Sequence, residues 1–213
     1  MAAAVVLAVL VVVGAIVLPQ VLGEDGPRAG GRSGSGEEAS EGSTDSSGGS
    51  GGTDGAPTLD DVETYPDLPT THVEGEVDYE QSPSVGGEHN AIWLDCGVYD
   101  EPVPEQHVTH DLEHGTVWLT YDPEQVDDDG VAALTDLLPQ NGILSPYPGL
   151  GAPVVATVWG TQLDLEGPED ARLPLFIENF GAGETAPEPF ASCAGGADLD
   201  ELAALTGGDS RPA

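Results

Sequence analysis

The chain opens on an unbroken apolar run. Residues 1–18, MAAAVVLAVLVVVGAIVL, carry no charge, and Pro19, Gln20, Val21, Leu22 and Gly23 follow. At about 1.5 Å of rise per residue, a helix of that length reaches across a bilayer core. The run exceeds the apolar core of an ordinary signal peptide. Residues 1–23 are therefore expected to be a transmembrane helix or signal anchor, with cleavage near Val21-Leu22-Gly23 as the alternative.

Beyond Gly23 the apolar pattern disappears. Between Gly30 and Gly55 nearly every residue is Gly, Ser, Thr, Asp or Glu. Such a stretch cannot bury enough apolar surface to offset its ordering entropy. Pro66 and Pro69 keep the chain irregular a little further, so residues 24–70 are expected to form a disordered acidic linker.

Periodicity returns in residues 71–196, the expected globular domain. Thr116 to Tyr121 is rich in β-branched and aromatic residues and reads as a strand. Asp127 to Asp129 offer a cap for a short helix over Gly130–Leu138, with Val131, Leu134, Leu137 and Leu138 at helical spacing. Ile143 to Ser145 is a short strand, and Val154 to Trp159 is a nearly all-apolar one of the kind covered on both faces. Gly160-Thr161 turns that strand into Gln162–Leu165, a hairpin partner. Pro168-Glu169-Asp170 opens a helix that carries Leu173, Phe176, Ile177 and Phe180. The expected fold class is α+β: a small mixed β-sheet with helices packed on one face. Residues 197–213 are expected to be a C-terminal tail, with a short helix or a frayed end over Asp198–Leu205.

Charge narrows the partners. The chain has 39 acidic residues against 4 basic ones, for a formal charge of −35. The four basic residues are Arg28, Arg32, Arg172 and Arg211, and there is no lysine. That surface repels phosphate backbones and excludes nucleic acid as a partner. It also repels anionic lipid headgroups, so membrane attachment falls to the N-terminal helix. Solubility and life in high salt both account for such acidity. The two cysteines, Cys96 and Cys193, are too far apart for a C-x-x-C motif. In an exported chain they are expected to form a disulfide.

The candidate chemistry is concentrated in the histidines. All five, His72, His89, His107, His110 and His114, lie within one stretch. His110 and His114 are four residues apart and share a helical face, which suits two ligands on one cation. Glu113 is placed to be a third ligand or to orient a ring. His89 follows the glycine turn Gly86-Gly87 and is the choice for a further ligand. The expected metal set is thus His89, His110, His114 and Glu113. Two or three nitrogens with one carboxylate suit zinc or copper rather than calcium or magnesium. His72 and His107 read as surface residues. The string His110–His114 also fits H-x-x-E-H, but that pattern is short and the domain is far smaller than such proteases. No catalytic residue is assigned. Trp93, Trp118 and Trp159 read as core fillers.

Several further motifs carry a resemblance. They are Pro83 to Gly87 with His89, Trp93 with Asp95-Cys96-Gly97-Val98-Tyr99, Glu101-Pro102-Val103, His110 through Tyr121, Ser145-Pro146-Tyr147-Pro148, Val154 to Gly160, and Ala186 to Pro189 with Cys193. On these residues the chain resembles the actinobacterial domain-of-unknown-function family numbered three-one-zero-five. The resemblance implies a membrane-tethered domain outside the cytoplasm and supplies no activity. Family members usually carry serine or asparagine where this chain has Asp111, a charge expected to favour a cation beside the histidines. Two function classes stand: an envelope domain that holds zinc or copper through the histidine cluster, and a metal-free structural or protein-interaction module with a partner yet to be named.

Overall fold

The computed structural model describes residues 56–206. The expected anchor at 1–23 and most of the expected linker lie outside the described residues. Among the described residues no helix is long and apolar enough to cross a membrane. The elements in chain order are β1 (Glu63–Thr64), β2 (Gly97–Val98), α1 (Glu105–Glu113), β3 (Val117–Tyr121), α2 (Asp128–Leu137), β4 (Gly142–Pro146), β5 (Val154–Val158), β6 (Thr161–Leu165), α3 (Arg172–Phe180) and α4 (Leu199–Thr206).

The six strands make one mixed sheet in the order β1-β6-β5-β3-β4-β2. β3 runs parallel to β4, and β4 parallel to β2. The pairs β3–β5, β5–β6 and β1–β6 are antiparallel. The parallel step from β3 to β4 needs a crossover, and α2 supplies it. Asp127 caps that helix as expected, its carboxylate accepting the Gly130 N–H at 3.0 Å. The expected hairpin is β5–β6, with Gly160 at φ +67 in the turn between them.

Alternation along β3 shows where the helices go. Val117, Leu119 and Tyr121 enter one core with Leu134 of α2 and Leu173 and Phe176 of α3. Trp118, between them, enters a second core with Val108 and Leu112 of α1 and Leu202 of α4. Helices therefore cover both faces of the sheet, not one as expected. The reason lies in the strand itself: all five residues of β3 are buried, so each face needs a cover.

The folded body also extends past the expected limits of 71 and 196. Leu59 and Val62 pack against the first core and Leu68 against the second. β1 pairs with β6 at the sheet edge. Arg172 at the start of α3 reaches Asp61 at 3.0 Å and Asp170 at 2.6 Å. The guanidinium beside it, through hydrogen bonds first, holds Asp170 down at about 2. At the other end, Ala197 pairs with Leu94, and Leu202 is buried in the second core. These flanking segments carry only a few apolar anchors, too widely spaced to make a periodic signal.

Cys96 and Cys193 form the expected disulfide, with Cα atoms 5.0 Å apart and a sequence separation of 97. Cys193 is fully buried, and its N–H donates to the Asn141 side chain at 2.9 Å. The bridge and the Leu94–Ala197 pairing hold the C-terminal segment beside β2, next to the entry of α1.

Candidate metal centre

α1 carries most of the site, and it is an unusual helix. His107 through Glu113 are all buried, although five of those seven residues are polar. Val108 and Leu112, four apart, fill the second core, so the sheet takes one stripe of the helix. The polar residues on the other stripes must then find partners inside the protein. Thr109 shares a hydrogen bond with Ser84 at 2.7 Å. His107 and His110 face the loop that runs from Asn90 to Ile92. α1 ends at Gly115, at φ +78, where a Cβ would lie 2.6 Å from the Cα of Gly183. Only glycine permits that turn and that approach together.

Two histidines reach the same point from outside α1. Gly86 and Gly87 adopt φ +133 and +118, and the Gly87 carbonyl accepts the Nδ1–H of His89 at 2.7 Å. The glycine turn therefore aims His89, as expected from the sequence. His72 arrives on an extended segment that pairs with His89: the Val73 N–H donates to the His89 carbonyl at 2.7 Å, and the His89 N–H to the Thr71 carbonyl at 3.1 Å.

The group that converges is His72, His89, His110 and Glu113. One ligand atom from each lies within 4.8 Å of every other. His89 Nε2 is 3.0 Å from Glu113 Oε2, and His72 Nε2 is 3.6 Å from the same oxygen. The three imidazole centroids stand 4.8–4.9 Å apart. Ligands about 2.1 Å from a tetrahedral ion are roughly 3.4 Å from one another, so small rotamer changes suffice to close this set on one cation.

The tautomers matter more than the distances. A carbonyl oxygen only accepts, so His89 carries its hydrogen on Nδ1, toward Gly87. His110 does the same toward the Asn90 carbonyl at 2.7 Å. Burial, against that hydrogen bond, pushes His110 down to about 4, so its ring is neutral at pH 7 and Nε2 bears a lone pair. With the Nδ1 hydrogen of His89 turned to Gly87, its Nε2 faces a Glu113 oxygen at 3.0 Å. Only a cation, either a proton or a metal ion, reconciles that contact. No lysine or arginine supplies it: the one described Lys or Arg, Arg172, is engaged with Asp61 and Asp170. Imidazoles held through Nδ1 by backbone carbonyls, with Nε2 turned inward, are the usual arrangement of metal-ligating histidines.

Two of the sequence readings change here. His107 is buried, not on the surface. Its Nδ1–H donates to the Ile92 carbonyl at 2.5 Å, and burial lowers its pKa. His72, half exposed at 47%, belongs to the convergent group. His114 packs edge-on against His110, with centroids 4.6 Å apart, but it is outside the convergent set. Its Nε2 lies 3.5 Å from Glu188 and its ring 5.2 Å from that of Trp93. Trp118 and Trp159 are core residues, as expected, whereas Trp93 lines the histidines. The signal for His72 was present in Thr70-Thr71-His72-Val73, a β-prone run that could pair with another segment.

Burial disfavours the negative charge expected of Asp111 beside the histidines. Its Oδ2 accepts the Leu94 N–H at 3.0 Å, and Oδ1 is buried without a partner. Burial raises its pKa well above the carboxylate range. The folded protein thus binds a proton that the unfolded chain releases near the ordinary carboxylate pKa of about 4. Stability from this residue is greatest at low pH and falls as pH rises from about 4 toward the folded pKa. Asp111→Asn removes that proton uptake and keeps an acceptor for Leu94. The variant is expected to be more stable at pH 7 by on the order of 1–3 kcal/mol, with the gain vanishing near pH 4. Thermal melts of both proteins from pH 4 to 8 check this; a gain that does not grow with pH would contradict it.

Comparison with known proteins agrees with the motifs. Residues 72–195 match the family DUF3105, described as proteins of unknown function. The chain belongs to this family. The matched span begins at His72 and includes all five histidines and both cysteines, so the site lies within the DUF3105 domain. No curated protein and no solved structure matches the chain.

Proposed function

We propose that this DUF3105 protein is a metal-binding domain that holds one zinc or copper ion through His72, His89, His110 and Glu113. The observation that carries the reading is the inward-facing acceptor set. Two of its three imidazoles are fixed through Nδ1 by backbone carbonyls, and one of those Nε2 atoms faces a carboxylate with no lysine or arginine beside them. Three nitrogens and one oxygen favour zinc or copper over magnesium or calcium. Compared with the sequence reading, His72 takes the ligand position given to His114, and His114 packs beside His110. The disulfide suits an oxidising compartment. With the apolar run of residues 1–18, it supports a domain tethered at the outer side of a membrane.

Metal-stripped protein titrated calorimetrically with Zn2+ and with Cu2+ tests the reading. One binding event per chain is expected for at least one of the two ions, with Mg2+ and Ca2+ giving none. A Zn2+ concentration of about 100 times Kd should also raise stability by about 2.7 kcal/mol. Neither heat nor a melting shift with either ion would mean that the cluster is held by protons and the domain is metal-free.

A further inference from the structure

The four groups of the proposed centre are not equivalent, and the difference implies how an ion would pass through it. His89 is fully buried, and His110 and Glu113 are nearly so. The rings of His89 and His110 are each locked by a backbone carbonyl at 2.7 Å. The His72 side chain is 47% exposed. Its backbone is held by pairing with His89, but its ring makes no hydrogen bond among the described residues; the Glu113 oxygen at 3.6 Å is too distant for one. Three ligands are therefore held in the interior, and the fourth can swing outward by giving up its ring contacts with His89 and His110 but no hydrogen bond.

A cavity lies on the exposed side of that fourth ligand. It has a volume of about 580 Å³, and His72, Val73, Asn90, Ala91, Ile92 and His107 are on its wall. Asn90 is also the residue whose carbonyl holds His110, so the cavity reaches the edge of the centre. Its size suits a small molecule or a side chain rather than a folded partner. The charge of −35 disfavours an anionic visitor.

Resting on the metal-binding reading, we propose that the ion is exchanged by ligand substitution at His72, with an uncharged donor entering through this cavity. The donor's lone pair forms a bond to the ion, the bond to His72 Nε2 breaks, and His72 keeps its own lone pair as the ring turns to solvent. No electron transfer and no net proton transfer is required. On this account the centre is a transfer site, loaded and unloaded through one door, rather than a closed structural site.

The test measures Zn2+ loss from loaded full-length protein to 1,10-phenanthroline, a neutral bidentate nitrogen donor whose zinc complex is followed directly. The loss rate is expected to rise in proportion to phenanthroline concentration. Ala91→Trp, which fills the cavity from an exposed wall position, is expected to lower the slope about tenfold and leave zinc affinity within about twofold. Ile92→Trp is the second variant should Ala91→Trp fail to fold. A rate independent of phenanthroline concentration overturns the proposal, because the ion then leaves before any donor arrives. An unchanged slope in a folded cavity-filled variant overturns it as well. Protein that never loads with Zn2+ or Cu2+ overturns the metal-binding reading itself, an outcome distinct from either of these.

Discussion

His110→Ala is expected to abolish tight Zn2+ binding, lowering affinity by about a hundredfold or more. His110 contributes a buried, neutral Nε2, and its ring is already oriented by the Asn90 carbonyl. Nothing else on α1 can replace it: Glu113 is already in the set, and His107 is turned to Ile92. His72→Ala should weaken binding less, by about tenfold, because a water can take the position of an exposed ligand. His114→Ala should change affinity by no more than about threefold, because it removes a ring that packs on His110 rather than a ligand. Competition titrations on the three variants, with circular dichroism to show that each is folded, give the ranking. Equal losses for His114→Ala and His110→Ala would return His114 to the ligand set.

Loss of the Cys96–Cys193 bridge is expected to have the largest effect on stability. The two residues are separated by 97 positions, and for a loop of that size the chain-entropy model gives about 4–5 kcal/mol. That figure is an upper one, since residual structure in the denatured chain reduces it. Against a total stability of about 5–15 kcal/mol for a domain, it is a large share. Reduction, or the Cys96→Ser/Cys193→Ser double variant, should lower Tm by about 10 °C or more. The bridge holds the C-terminal segment against the loop that supports His107 and His110, so zinc affinity should fall with it. A Tm within about 3 °C of the oxidised protein would show that the Leu94–Ala197 pairing and the second core hold this edge unaided.

Much of the fold was legible because local chemistry and the final structure agree. The strand through Trp118, the apolar strand from Val154, the Asp127 cap and the Gly160 turn are all local features, and each appears where the pattern put it. The segments that were missed are those whose structure depends on distant contacts. Residues 59–70 look irregular alone and join the body through a few anchors, a two-residue strand and one arginine, while over Asp198–Leu205 the helix, of the two alternatives left open, is the one that forms, as α4.

The sequence by itself determined the inventory of the candidate site and its redox setting. It showed histidines gathered in one stretch, a glycine turn before His89, an i, i+4 pair at His110 and His114, a carboxylate between them and two cysteines fit to pair. Tertiary structure decided which of these groups face one another. Helical spacing puts His110 and His114 on one side of α1, but it does not say which angular sector of that side meets the Gly86–His89 loop. Packing of Val108 and Leu112 into the second core set the rotation of the helix and turned Glu113 toward His89. The pairing of His72 with His89 spans 17 positions and carries no local signature, yet it brings the third imidazole to the centre. Burial, too, is a property of the whole: it pushes Asp111 toward its neutral form where the sequence shows a charge, and keeps His110 a neutral base. Residue type and spacing fix what chemistry is available, whereas orientation and protonation follow from long-range packing and desolvation, which no local window of sequence contains.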